Sequence, residues 1–214
     1  MKPILRAAAL CAAACFGAAS PASAQVFGTF ASADILPINA HQVGFYLQAS
    51  DRTLSGLAQL RLSMYPGVDF GFQGGLARVS WEGDDIVTLR LGTDLRVGVA
   101  NAGEGFPLDI AVGGALGVET SDNYHVLTLL PMAVASRPFT FGQSGSVSPY
   151  AGLGISFANV DANTTRETFV SFPLRLGADV RVVPGLRVSA ELQIPMGGAF
   201  NEDFGILTGV NMPF

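Results

Sequence analysis

One nonapeptide occurs twice in the chain, as Leu-Arg-Leu-Gly-Thr-Asp-Leu-Arg-Val at 89–97 and as Leu-Arg-Leu-Gly-Ala-Asp-Val-Arg-Val at 174–182. In each copy the charged residues share one parity: Arg90, Asp94 and Arg96, then Arg175, Asp179 and Arg181. Arg187 and Glu191 follow with compatible spacing. Side chains two apart on an extended strand leave the backbone on the same side, so these residues can do one of two things. Packed together they form a network of ion pairs, in which each guanidinium fork satisfies several carboxylates and carbonyls and stays charged when desolvated. Hydrated, they line a path with a cationic bias, because charged side chains around a pore select ions.

A catalytic reading has less to build on. His125 stands near Glu119, Asp122 and Thr128, but a nucleophilic site needs nucleophile, base and orienting group to converge. Alternation puts His125 and Thr128 on opposite faces of an extended segment, so no catalytic residue is expected, and His41 has no partner nearby in sequence. Asp51, Glu82, Asp84, Asp85, Glu119, Asp122, Asp161, Glu167, Glu202 and Asp203 read as an acidic rim of loop residues beside Arg52 and Arg166. A hard cation needs converging oxygens, so this rim reads as solvated, and neither a metal nor a cofactor is expected.

The elements that must position these residues begin after an export signal. Lys2 and Arg6, the apolar run Ala7 to Ala19, and Ala22-Ser23-Ala24 ahead of Gln25 make residues 1–24 a signal peptide. Cys11 and Cys15, the two cysteines, lie within it, so the exported chain is expected to have no disulfide and no soft metal ligand. Removing it also removes the single Lys and leaves ten Arg against seventeen Asp plus Glu, a net charge of −7. That balance argues against a nucleic-acid partner. Residues 25–40 read as an N-terminal tail or an extra strand piece, and 41–214 as one domain.

From His41 on, apolar residues recur with period two, broken by turn clusters such as Tyr65-Pro66-Gly67-Val68 and Val183-Pro184-Gly185. The pattern predicts ten strands, near 41–49, 55–65, 68–80, 86–100, 107–119, 124–141, 147–159, 168–182, 186–196 and 203–214, joined by short connections into an antiparallel meander. No stretch after the signal approaches the ~18 consecutive apolar residues of a membrane-spanning helix. On the clearest strands one face is apolar. The other carries Arg90, Asp94, Arg96, Arg175, Asp179, Arg181, Arg187, Glu191, Gln193 and Asn211, interleaved with glycines such as Gly92, Gly177 and Gly209.

Alternation alone does not say which face points inward. The polar face has no Lys and much Gly, which suits a crowded lumen better than a water-facing surface. Aromatic residues gather near strand ends, with Tyr65, Phe106, Phe139 and Phe141 on one rim and Trp81, Tyr124, Phe157, Phe169 and Phe204 on the other, as interfacial girdles do. The last strand, Phe204 to Phe214, spans roughly 36 Å at ~3.3 Å per residue. A tilt near 45° reduces that to about 25 Å, the apolar height of a membrane-spanning barrel. Only a helix or a closed barrel crosses lipid with every backbone group satisfied. The expected fold is therefore all-β, a closed antiparallel up-and-down transmembrane barrel of ten strands with its charged face inward.

The segment Pro149-Tyr150-Ala151-Gly152-Leu153-Gly154-Ile155-Ser156, the strand Arg187 to Gln193 and the terminal Phe214 resemble the small outer-membrane β-barrel proteins of Gram-negative bacteria, the outer-membrane-protein-A, opacity and OmpW-like group. The likeness covers the last third of the chain and specifies architecture rather than activity. It implies residence in the bacterial outer membrane after export through a Sec-type signal, and contact with outer-membrane lipid and lipopolysaccharide. It also implies delivery by periplasmic chaperones to the barrel-assembly machinery, which reads a last strand ending in an aromatic residue. Val210, Met212 and Phe214 would be that signal. Members of the group often have eight strands, against the ten read here.

Function then rests on the lumen, as either a structural barrel filled by paired charges or a narrow passive pore. A turn at Val183-Pro184-Gly185 sets Val182 opposite Leu186, which places Asp179 diagonal to Arg187 and Glu191 diagonal to Arg175. Two other classes compete. A soluble periplasmic barrel binding an apolar ligand would turn Leu89, Leu91, Leu174 and Leu176 inward, and an outer-membrane hydrolase would rest on His125.

Overall fold

In the computed structural model, which describes residues 31–81, 84–103, 105–141, 145–162, 165–183, 185–197 and 204–214, ten strands run antiparallel in chain order. They are β1 His41–Ser50, β2 Thr53–Tyr65, β3 Val68–Trp81, β4 Asp84–Ala100, β5 Asp109–Ser121, β6 Tyr124–Ser136 extended by Phe139–Phe141, β7 Gly145–Gly154 with Ser156–Ala162, β8 Thr165–Ser171 with Leu174–Val183, β9 Leu186–Ile194 and β10 Gly205–Pro213. The readings for residues 1–30, Glu82, Glu202, Asp203 and the side chain of Trp81 lie outside the described residues.

Each strand pairs with its sequence neighbours, and β1 pairs with β10 from Gln42 opposite Pro213 to Ser50 opposite Gly205. The sheet is therefore a closed barrel with no free edge to template aggregation. Among the described residues, no helix is long and apolar enough to cross a membrane.

The interruptions in β6, β7 and β8 follow the prolines. Pro131 accepts the Ile155 N–H at 3.0 Å, Pro173 accepts the Gly154 N–H at 3.2 Å, and Pro149 accepts the Arg137 N–H at 3.2 Å. None of the three can return a bond, because proline has no N–H. The register is nevertheless unbroken across each gap: Leu129 faces Phe157 and Met132 faces Gly154, while Ser171 faces Ser156 and Leu174 faces Leu153. The expected strands 124–141, 147–159 and 168–182 are thus single strands with locally thinned ladders.

The two faces are inverted relative to a water-soluble protein. Arg61 and Asp69 are 1% and 0% exposed, whereas Leu47 and Val87 are 65% and 64% exposed. Leu89, Leu91 and Leu176 point outward and are exposed, which overturns the soluble barrel with an apolar interior. An outer surface of Leu, Val, Ile and Phe finds its favourable surroundings in hydrocarbon.

Two girdle assignments are corrected. Tyr124 is buried in an interior cluster with Val126, Ala158, Val160 and Ala162, and Phe169 packs against that cluster. Both share the inward parity of their strands, so strand-end position alone misplaced them. Tyr65, Phe106, Phe139, Phe141, Phe157 and Phe204 are exposed as girdle residues should be.

Residues 31–40 form neither a strand nor a free tail. Ser32, Ala33 and Leu36 are buried inside the barrel, and a turn at Pro37–Ala40 then leads into β1. Asn39 takes φ +61° there, a left-handed conformation that asparagine tolerates better than most residues. Its N–H is held by the Ser63 carbonyl at 2.8 Å.

Candidate functional site

The charges of the first nonapeptide meet partners on β2 and β3, and together they form a layer near the end of the barrel where β1 begins and β10 finishes. Arg96 on β4 sits directly opposite Asp69 on β3 and reaches it with Nε at 3.0 Å and Nη2 at 2.7 Å. Arg61 on β2 donates to Asp69 at 2.6 Å and to both oxygens of Asp94, at 2.8 and 3.0 Å. Across the lumen, Asp179 on β8 accepts from Ser189 at 2.6 Å, Ser189 accepts from Asn211 at 3.1 Å, and Asn211 meets the Tyr46 hydroxyl. The layer thus reaches around most of the barrel, with ion pairs on β2 to β4 continued by hydrogen-bonded polar side chains, so that its desolvated charges keep partners.

A second layer crosses the lumen further from that end. Arg90 donates to Gln48 at 3.1 Å and Ser55 at 3.2 Å, and pairs with Glu119, which also accepts from Thr88. Gln48 donates to Gln193 at 2.8 Å, Gln193 to Glu191 at 2.8 Å, and Tyr150 to Glu191 at 2.9 Å. One unbroken chain therefore runs from β4 and β5 through β1 and β9 to β7.

Glu119, assigned above to the acidic rim, is 1% exposed inside this layer. β5 continues to Ser121, and Glu119 keeps the inward parity of Ala111 and Ala115.

Of the residues read from sequence, Arg90, Asp94, Arg96, Arg175, Asp179 and Glu191 are buried in the lumen. Through the body of β8 and β9 the register is the expected one: Gly177 faces Glu191 and Asp179 faces Ser189, which makes Arg175 and Arg187 diagonal neighbours of the two acids. At the turn an irregularity sets Val183, rather than Val182, opposite Leu186. Arg187 pairs with Asp34 at 2.9 Å near the mouth, and Arg181 is exposed there. Val210 and Met212 are half-buried on the outward parity of β10. Phe214 is 73% exposed, its ring 5.6 Å from that of His41.

Sequence reasoning missed Arg61, Asp69, Gln48, Tyr46 and Tyr150. Their signal was parity, since each stands in the inward phase of an alternating run. The β5–β7 side of the lumen was missed for the opposite reason. Leu130, Met132 and Val134 face inward beside Ala111 and Ala115, so β6 is apolar on both faces and shows no alternation there.

The lumenal glycines make room for side chains. A Cβ at Gly71 would lie 2.1 Å from Asp94 Oδ2, one at Gly177 would lie 2.4 Å from the Tyr150 ring, and one at Gly209 would lie 2.1 Å from the Tyr46 ring. The space left by these glycines is occupied by the network.

His125 faces outward with Nδ1 2.7 Å from Thr120 Oγ1, while Thr128 is buried on the inner face. The two therefore do not meet. Among the described residues no group of three His, Cys, Asp or Glu converges on a cation position.

An apolar outer belt, an inner face that carries buried ion pairs and a sheet without edges define a β-barrel that spans a membrane in the manner of outer-membrane proteins. No family model matches the chain, and no curated protein matches it in sequence. Solved structures do resemble it in fold. A bacterial polysaccharide outer-membrane secretin aligns at 14% identity over 82% of this chain, with a TM-score of 0.46, and the chain spans 64% of its length. An outer-membrane channel from Pseudomonas putida F1 aligns at 11% identity over 89% of this chain and 100% of its own, with a TM-score of 0.49. The N-terminal β-barrel domain of Pseudomonas aeruginosa OprF aligns at 10% identity over 83% and 98%, with a TM-score of 0.38.

Proposed function

We propose that this protein is a structural outer-membrane barrel whose lumen is closed at rest, rather than an open passive pore. The observation that carries this reading is the layer of Arg61, Asp69, Asp94 and Arg96, each 2% exposed or less and each bonded to another member. Small barrels have interiors that side chains can fill, and glycines in this one yield their space to Tyr46, Tyr150 and Asp94. Under this reading the outward face meets outer-membrane lipid and lipopolysaccharide, and the β10 residues Val210 and Met212, with Phe214 after them, address the barrel-assembly machinery.

The test is planar-bilayer conductance of the protein extracted from outer membranes, with its heat-shifted gel band confirming a folded barrel. The wild-type protein is expected to be silent. An Asp94→Asn, Asp179→Asn double variant removes two lumenal carboxylates and is expected to leak. Steady discrete steps from the wild type would replace the closed-lumen reading with the narrow pore.

A further inference from the structure

We propose that residues 32–36 are a displaceable plug, which closes the mouth of the barrel at the end where β1 begins and controls access of water and small solutes to the charges behind it. This rests on the closed-lumen reading and adds a moving part to it.

The segment lies in the lumen without pairing to any strand of the ring. Side chains from five strands hold it instead, chiefly by its backbone. Asp179 on β8 accepts the Ser32 N–H at 2.8 Å, Ser136 on β6 accepts the Ala33 N–H at 3.1 Å, and Asp69 on β3 accepts the Leu36 N–H at 3.4 Å. Arg96 on β4 donates to the Ser32 carbonyl and, at 3.4 Å, to that of Asp34. Arg187 on β9 pairs with the Asp34 carboxylate at 2.9 Å. Ala33 packs with Ala111 and Val134, and Ile35 lies over Gly98, where an added Cβ would come within 3.1 Å of it.

Two features make this fit reversible. The ring of ten strands is complete without the segment, so withdrawal breaks no ladder bond. Of the charges that hold it, Arg96 retains Asp69, Asp69 retains Arg61 and Asp179 retains Ser189, while Arg187, which gives up Asp34, is partly exposed at the mouth. The Arg61, Asp69 and Arg96 pairs therefore stay intact as the mouth opens, and the cost of breaking a buried ion pair does not arise in that layer. The anchored turn at Asn39 fixes where the segment would swing.

Ala115→Cys places a thiol on the inner face of β5 opposite Asp94, outside the hydrogen bonds that hold the segment, in a background where Cys11 and Cys15 are replaced by alanine. The rate at which a charged, water-soluble reagent modifies that thiol then reads the opening of the mouth. Ser32→Pro deletes the N–H that Asp179 accepts. It is expected to speed modification by about ten-fold, the effect of losing one buried hydrogen bond to a charged group. Asp34→Asn weakens only the half-exposed pair with Arg187 and is expected to give a smaller acceleration in the same direction. The heat-shifted band reports that the barrel is folded in each case. Equal modification rates in all three chains would overturn the plug, as would an introduced thiol that reacts at once without either second change. Wild-type conductance separates this from the earlier reading: a conducting wild type removes the closed lumen, whereas a silent wild type with equal thiol-modification rates removes the plug alone.

Discussion

Asp69 and Arg96 stand directly opposite one another on β3 and β4, joined by two hydrogen bonds of 3.0 and 2.7 Å in a site almost without solvent. Asp69 also receives Arg61, so a single carboxylate faces two guanidinium groups. Removing one partner of a buried pair costs about 3–5 kcal/mol, because the remaining charge is left uncompensated. Asp69→Ala is therefore expected to destabilise the barrel by about that amount in urea unfolding from lipid vesicles. A loss below about 1 kcal/mol, the scale of an exposed pair, would show that water reaches the layer.

The outward belt makes a separate prediction. Leu91 lies near the middle of β4, 52% exposed on the outer face. Leu91→Arg is expected to cost about 2–4 kcal/mol, the penalty for a cation near the bilayer midplane. If the variant folded into vesicles as favourably as the wild type, position 91 would not face hydrocarbon.

Gly209 gives its space to Tyr46. Gly209→Ala would press a methyl group into the ring and is expected to cost about 1–3 kcal/mol, the range for overpacking. In a Tyr46→Ala background the same change should cost much less, and a double-mutant cycle measures the difference. Additive effects would mean that the two positions do not compete for one volume.

Tyr150 donates to Glu191 inside the second layer. Tyr150→Phe keeps the ring over Gly177 but removes the hydroxyl from a buried carboxylate, an expected loss of about 1–3 kcal/mol. Tyr150→Phe together with Glu191→Gln should recover part of it, because the buried acceptor is then uncharged. Calorimetric or urea midpoints of the two variants that fall in the opposite order would show that Glu191 does not depend on the hydroxyl.

A change at Phe214 is expected to separate assembly from stability. Its ring is largely exposed and meets that of His41. Phe214→Ala is expected to lower the amount of folded barrel recovered from outer membranes while leaving the urea midpoint of the folded fraction unchanged. A shifted midpoint with normal recovery would assign the ring to stability instead.

The sequence by itself determined the barrel and which of its faces is polar. Period-two runs broken by short Gly, Pro, Asn and Asp clusters left ten strands as the natural count, and the absence of Lys beside abundant Gly identified the charged face as the inner one. It also determined the register through the body of β8 and β9, because the turn after Val182 is too short to allow much slippage. The pattern carries this information locally, in neighbours a few residues apart.

Only the tertiary structure decided which charges meet. Arg61, Asp69 and Asp94 come from three strands, and they converge through the register of two successive hairpins, in which Gly71 faces both Arg61 and Asp94, a pairing no single strand encodes. The apolar β5–β7 wall was hidden because strands apolar on both faces do not alternate. Glu119 and Tyr124 looked like rim residues until strand ends and parity placed them inside. The place of residues 32–36 was equally illegible: a segment held through its backbone N–H and C=O groups leaves no residue pattern of its own. Its position became visible only once Asp179, Arg96, Ser136 and Asp69, distant in the chain, were brought around one lumen.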